Sequence, residues 1–206
     1  MRDSRDYFAA VAGEWDGLRS GFFTAAMRDA AIAQAALPRD AVVADVGTGT
    51  GFVLAGLVDR AALLVGYDES PEMLAVARRN LAGHDHVRLE LAQGAQLPAA
   101  DATFDAVFAN MFLHHAPDPA AAIAEMARIL KPGGRLVLTD LDRHDEAWMR
   151  TAMADRWLGF ERADVAGWLA AAALQDVVVD CAAGSCDCTH DGTDISLSIF
   201  VALATR

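Results

Sequence analysis

Apolar residues recur along this chain in two rhythms, and the change between them marks out its elements. Over the first forty residues the rhythm is helical: Tyr7, Phe8, Val11 and Trp15 form one stripe, and Phe22, Phe23, Met27, Ala30 and Ile32 form a second that stops at Leu37-Pro38. From Val42 onward short apolar runs alternate with helical patterns, the arrangement of βα units and a parallel sheet. Strands are expected at Val42 to Val46, Leu63 to Tyr67, Val87 to Leu91, Phe104 to Ala109 and Arg135 to Asp140. Ser70-Pro71-Glu72 and Asp118-Pro119 each set a capping side chain before a first-turn proline, and so predict helix starts. Lys131-Pro132-Gly133-Gly134 stops the helix over Ala120 to Leu130 and turns the chain into the next strand. A last helix near Asp164 to Leu174 precedes Val177 to Val179 and Ile195 to Ala202, expected as a strand pair joined by a polar insert. The pattern predicts a three-layer α/β/α fold in one domain over 1–206, with residues 1–40 as a helical cap and 41–206 as the core. No repeat, low-complexity linker or charge block marks a boundary.

The first strand, Val43-Ala44-Asp45-Val46, runs straight into Gly47-Thr48-Gly49-Thr50-Gly51-Phe52. Glycines at every second position let the backbone turn tightly and approach a ligand, and the following helix start presents unsatisfied amides. The spacing is D-x-G-x-G-x-G, whereas dinucleotide sites use G-x-G-x-x-G. The second strand ends in Gly66-Tyr67-Asp68, where an acid can accept two hydrogen bonds from a ribose diol. Nicotinamide-binding folds also place an acid there, so the loop spacing, not Asp68, separates this site from a nicotinamide site.

This loop resembles motif I of the class I S-adenosyl-L-methionine (SAM) dependent methyltransferases. Val43 to Phe52, Gly66 to Leu74, Leu97-Pro98 with Phe104-Asp105, and Leu130 to Leu136 are similar to the successive blocks of the ubiquinone/menaquinone-biosynthesis type, and together span about half the chain. Ala109 to His115, followed by Thr139 to His144 and Trp148-Met149, resembles methyltransferases often joined to arsenical-repressor-type regulators; without a winged-helix regulator, this chain is expected to be a stand-alone catalytic unit. The resemblance implies a Rossmann-like, seven-stranded, mostly parallel sheet with an antiparallel last strand, and methyl transfer from SAM with release of S-adenosylhomocysteine. It implies Asp45, Gly47, Gly49 and Gly51 around the methionine part, Asp68 on the ribose and Met73 near the adenine, with Thr48, Glu69 and Asn110 in the same cofactor set. Where the family usually carries an Asp for the adenine amino group, this chain has Gln93-Gly94-Ala95-Gln96, which makes Gln93 or Gln96 the candidate neutral acceptor.

Composition narrows the substrate. A chain of 206 residues with 54% hydrophobic content suffices for one core. The charged start Met1 to Asp6 and the short alanine-rich runs predict neither signal peptide nor membrane span, so a soluble cytoplasmic protein is expected. A net charge of −12 disfavours phosphate backbones, and Asn110-Met111-Phe112-Leu113 stands where nucleic-acid amino methyltransferases usually carry an Asn/Asp-Pro-Pro-aromatic block. A small-molecule acceptor is the expectation, with no nucleic acid or membrane partner; the oligomeric state is not encoded in any of these patterns.

Beyond the fourth and fifth strands, His114, His115, Asp140 and His144 are the candidate catalytic residues, one of the histidines serving as base if the acceptor arrives protonated. Asp140, Asp142 and His144 would share one face of an extended chain, a conceivable metal set. The three cysteines Cys181, Cys186 and Cys188 fall near the carboxyl terminus. An odd count argues against a disulfide framework, and C-x-C in an insert can bind soft metals or trivalent arsenic, although free thiols are the plainer reading. No other metal is expected. The acceptor thus stands open between a quinone-type molecule and a metalloid or thiol. Outside the enzyme class the rivals are a non-catalytic SAM-binding sensor or partner subunit, and then a nicotinamide oxidoreductase.

Overall fold

Strands β1 (Val42–Val46), β2 (Leu63–Asp68), β3 (Val87–Leu91), β4 (Phe104–Asn110), β5 (Leu130–Leu141), β6 (Gln175–His190) and β7 (Thr193–Thr205) form one sheet in the order β3-β2-β1-β4-β5-β7-β6. The computed structural model describes residues 4–20 and 23–206. Phe22 and the Met1-Arg2-Asp3 start, both used above, lie outside the described residues. The first five strands pair in parallel, and β7 runs antiparallel to both β5 and β6. The winding reverses between β1 and β4, which opens a crevice beyond their carboxyl ends.

Period-two alternation sorts the strand residues onto two buried faces. Val43, Leu64, Ala106, Phe108 and Val137 pack on Ile32 and Leu54, from helices α3 (Ala25–Gln34) and α4 (Phe52–Ala55). Ala44, Val65, Tyr67, Val107, Leu136 and Leu138 pack on Ile123, Met126, Val165 and Leu169, from α6 (Pro119–Ile129) and α8 (Arg162–Ala171). Both expected caps form: Ser70 Oγ accepts from Met73 N at the start of α5 (Pro71–Asn80), and Asp118 Oδ1 accepts from Ala121 N at the start of α6. A short α7 (Met149–Ala152) follows β5. The amino-terminal helices α1 (Ser4–Val11) and α2 (Trp15–Arg19) lie over the crevice, where Phe8 and Trp15 pack with Met73 and Val76 of α5. No helix among the described residues is long and apolar enough to cross a membrane.

The carboxyl-terminal hairpin departs from the sequence reading. In place of a polar insert, β6 and β7 stay paired out to His190↔Thr193, and Asp191-Gly192 close them with φ of +49° and +76°. An Asp-Gly pair in left-handed dihedrals makes a two-residue type I′ turn, whose twist suits the flanking strands. The polar residues mistaken for a loop, Asp187 and Thr189 among them, are the exposed face of an outermost strand.

Candidate functional site

The glycine loop is held by backbone bonds that leave its far side free. Gly47 N and Thr48 N both donate to Tyr67 O at 2.9 Å, and Gly51 N donates to Thr48 O at 2.8 Å. Gly47 sits at φ +73°, and a Cβ there would also lie 2.5 Å from the Phe112 ring, so this turn admits no side chain. Asp68, at the end of β2, accepts from Gly49 N (2.8 Å) through one oxygen and from Ser70 N (2.9 Å) through the other, tying the loop to the start of α5. Burial pushes its carboxyl up to about 6, against those amides, which hold it down. Asp45, at the end of β1, is 1% exposed, and neither of its oxygens has a hydrogen-bond partner; nor has the Thr48 hydroxyl. Burial pushes Asp45 to about 7.

These residues line one end of a cavity of about 340 Å³. Gly47, Thr48, Gly49, Glu69, Met73, Gln93 and Asn110 line it as well. Gln96 and Gly51 are not among its lining residues: Gln96 N bonds back to Gln93 O in a tight turn, and Gly51 is packed beneath Ala77 of α5 and Leu81 just after it. The helical cap is coupled to the loop through Asp16, which accepts from Thr50 Oγ1 (2.6 Å) and Asn80 Nδ2 (2.9 Å). Phe8, Trp15, Arg19 and Phe23 contribute an aromatic and cationic roof, with the Arg19 guanidinium 3.6 Å above the Phe52 ring.

The other end of the cavity holds His114 and His115, on a 3₁₀ turn after β4. Asp140, fully buried at the end of β5, accepts from His114 Nδ1 at 2.7 Å and from the amides of Leu113 and Leu141 at 2.8 Å. Burial alone would lower His114, but the Asp140 and Asp155 carboxylates outweigh it and raise it to about 9. Burial and the neighbouring His114 charge keep His115 well below its ordinary value. Asp155 approaches His114 Nε2 to 4.0 Å, is 1% exposed and is pushed up to about 6 by burial.

The structure divides the Asp140, Asp142 and His144 set. Asp140 is committed to His114, and Asp142 forms a two-pronged ion pair with Arg162 at 2.7 Å. His144 accepts from Glu146 N and does not line the cavity. The cysteines are divided too. Cys186 and Cys188 stand opposite Leu197 and Ile195, and Cys186 lines the cavity. A register shift between Cys181 and Ser185 leaves Cys181 opposite Phe200, on the sheet face that carries α6 and α8. Two residues of the site escaped the sequence reading, Asp16 and Asp155, and Phe112 entered it only as part of a motif block. Asp16 adjoins Trp15, already singled out. Asp155 follows an alanine at φ +59° and carries no motif.

The comparisons agree with this geometry. A methyltransferase domain model matches residues 44–138. The ubiquinone biosynthesis O-methyltransferase of Xanthomonas axonopodis pv. citri is 31% identical over 189 residues, covering 82% of this chain and 79% of that protein. The demethylmenaquinone methyltransferase of Clavibacter sepedonicus is 40% identical over 98 residues, 48% of this chain and 40% of that protein. The chain spans less than half the length of several of the curated relatives it matches, from 29% to 48%. Among solved structures, the chain bound to the Trm112 methyltransferase activator in a Haloferax volcanii complex has a TM-score of 0.81 at 22% identity, covering 100% of this chain and 98% of that one.

The residues present fit SAM. The carboxylate of Asp45, whose oxygens lack a hydrogen-bond partner, would offer a counter-charge to the methionine ammonium, Asp68 would offer its remaining lone pairs to the ribose diol, and the open side of Gly49 would let the ligand approach the backbone. With the strand-end acids, the glycine loop and the relatives in agreement, this chain belongs to the class I SAM-dependent methyltransferases of the ubiquinone/menaquinone-biosynthesis type.

Proposed function

We propose that this protein transfers a methyl group from SAM to a small organic acceptor held beneath the amino-terminal helices, with residues 1–206 acting as one methyltransferase unit. The observation that carries the reading is the continuity of one cavity from the Asp45 and Asp68 carboxylates to the His114 and Asp140 pair. SAM supplies a methyl on a sulfonium, a leaving group already activated. The chain's own residues align and enclose. Asp45 and Asp68 fix the cofactor, Met73 and Gln93 border its base, and Phe8, Trp15 and Phe23 close the roof against water. Alignment of this kind can supply about 7–11 kcal/mol of the barrier reduction. His114, its ring held by Asp140, and His115 border the acceptor and fix its reacting atom.

A quinone-type or similar apolar acceptor is favoured over a metalloid held by thiols. Leu141, Met149 and Met153 give the acceptor end an apolar wall, and of the cysteines only Cys186 lines it. Free cysteines suit a reducing cytoplasm, and the net charge of −12 suits a small molecule better than nucleic acid. The test is calorimetric titration with S-adenosylhomocysteine and with NADH, followed by a screen of quinols, thiols and arsenite with SAM. Micromolar binding of S-adenosylhomocysteine but not NADH, with turnover of a quinol, supports the reading. Preference for NADH overturns it, and cofactor binding without turnover of any acceptor supports a sensor or partner subunit instead.

A further inference from the structure

His114, His115 and Asp155 converge on one point at the acceptor end of the cavity. One ligand atom from each lies within 4.8 Å of the others, and His114 Nε2 stands 4.0 Å from Asp155 Oδ1, too far for a hydrogen bond. We propose that these three side chains bind a divalent transition-metal ion, whose open coordination positions face the bound acceptor.

Four observations carry this. First, His114 donates its Nδ1 side to Asp140 at 2.7 Å, which orients Nε2 towards Asp155; metal-ligating histidines are held by a carboxylate in this way. Second, Asp155 Oδ2 is buried with no hydrogen-bond partner, although Asp155 is only 1% exposed, so the carboxylate lacks the group it is built to meet. Third, Asp140 and Asp155 are two buried carboxylates on one histidine cluster, so an ion that takes the place of the His114 proton would meet both. Fourth, Arg156 N and Trp157 N both donate to His114 O, at 3.0 and 3.1 Å, so the Asp155 segment is fastened to the histidine turn.

Two imidazoles and a carboxylate suit zinc, iron or cobalt rather than magnesium or calcium. Ligand atoms around such an ion stand roughly 3.3 Å apart at bond lengths of about 2.0–2.2 Å, so a shift of about an ångström closes the set. The ion's site stands on these residues alone. Only the role of its open positions, to bind a hydroxyl or thiol of the acceptor next to the methyl donor, rests on the function proposed above.

The experiment is titration of the chelator-treated full chain with Co²⁺, followed by visible absorption. One Co²⁺ per chain at micromolar affinity is expected, with ligand-field bands and no thiolate charge-transfer band. Asp155→Asn and His115→Gln should each weaken binding about a hundredfold, and Asp140→Asn about ten- to a hundredfold. Affinity for S-adenosylhomocysteine, measured on the same samples, reports folding and the cofactor site separately. If Asp155→Asn fails to fold, His115→Gln, whose side chain is less buried, carries the test. No saturable binding up to about 100 µM, binding unchanged in the folded variants, or loss of binding in Cys186→Ser would each overturn the site.

Discussion

Replacing Asp45 with Asn removes one charge from the cofactor end of the cavity while keeping the size and shape of the side chain. In the folded chain burial raises this carboxyl from an ordinary 3.8 to about 7. The folded protein therefore holds a proton that the unfolded chain has already lost, and stability falls as the pH rises from about 4 to about 7, then levels. At about 1.4 kcal/mol for each tenfold change in proton affinity, the whole effect is about 4 kcal/mol, of which about 2–3 kcal/mol falls between pH 5 and pH 8. Asn carries no such dependence. Its amide, buried without a partner, costs about 1–3 kcal/mol at every pH. Asp45→Asn should thus gain about 2–3 kcal/mol on wild type between pH 5 and pH 8, read from urea unfolding at the two values. A difference between the two proteins that does not change with pH would refute the reasoning. Cofactor binding should move the other way. Truncating one partner of a buried charge pair costs about 2–5 kcal/mol, so S-adenosylhomocysteine should bind roughly thirtyfold more weakly or worse. Equal affinity would mean that the partnerless oxygens serve some other group.

Asp68→Ala would remove the proposed ribose acceptor and also free the amides of Gly49 and Ser70, so calorimetry should show S-adenosylhomocysteine binding about ten- to a hundredfold weaker, and unchanged affinity would deny Asp68 that role. Asp16→Ala cuts the ties from the helical cap to Thr50 and Asn80; stopped-flow release of S-adenosylhomocysteine should quicken about three- to tenfold, and an unchanged rate would mean that the cap and the loop move independently. Gly159→Ala would drive a Cβ into the Asp142 carbonyl at a φ of +65°, so chemical denaturation should register a loss of about 3 kcal/mol or more, and a loss under about 1 kcal/mol would contradict the packing described.

The cofactor half of the site was legible in the sequence because it is built from consecutive residues whose backbone leaves few choices. A strand that must end in a turn with no room for a Cβ demands Gly47, and the next strand in register places Asp68 against Gly49. Strand limits were legible from local pattern: Val42–Val46, a buried run whose one polar residue is Asp45, and Val87–Leu91, which alternates apolar and charged residues, begin and end as expected. The acceptor half is assembled from segments 26 to 41 residues apart, through His114 to Asp140, His114 to Asp155 and Trp157 to Ala116, and no local rhythm records such pairings. His114 and Asp140 stood out singly as candidates, but their pairing shows only once the sheet order makes β4 and β5 neighbours, and Asp155 carries no signal at all. The hairpin was misread because its outer face is polar, although Asp191-Gly192 was the turn signal that should have extended both strands.

The distribution of acidic side chains distinguishes the two ends of the sheet. At the amino end, Asp105 accepts from Val42 N and from Lys131 on both oxygens; despite some burial, Lys131 holds its carboxyl below the ordinary range. At the carboxyl end, the three acids buried among the described residues are Asp45, Asp140 and Asp155, and only Asp140 is fully engaged. A buried carboxylate without a partner costs free energy, so a fold selected for stability alone would match or replace it. Asp45 and Asp155 both line one cavity, Asp45 where a ligand's ammonium is expected and Asp155 beside two histidines. The oxygens left without a hydrogen bond, both of Asp45 and Oδ2 of Asp155, are the places where the proposed cofactor and metal ion would each bring a cation from outside the chain.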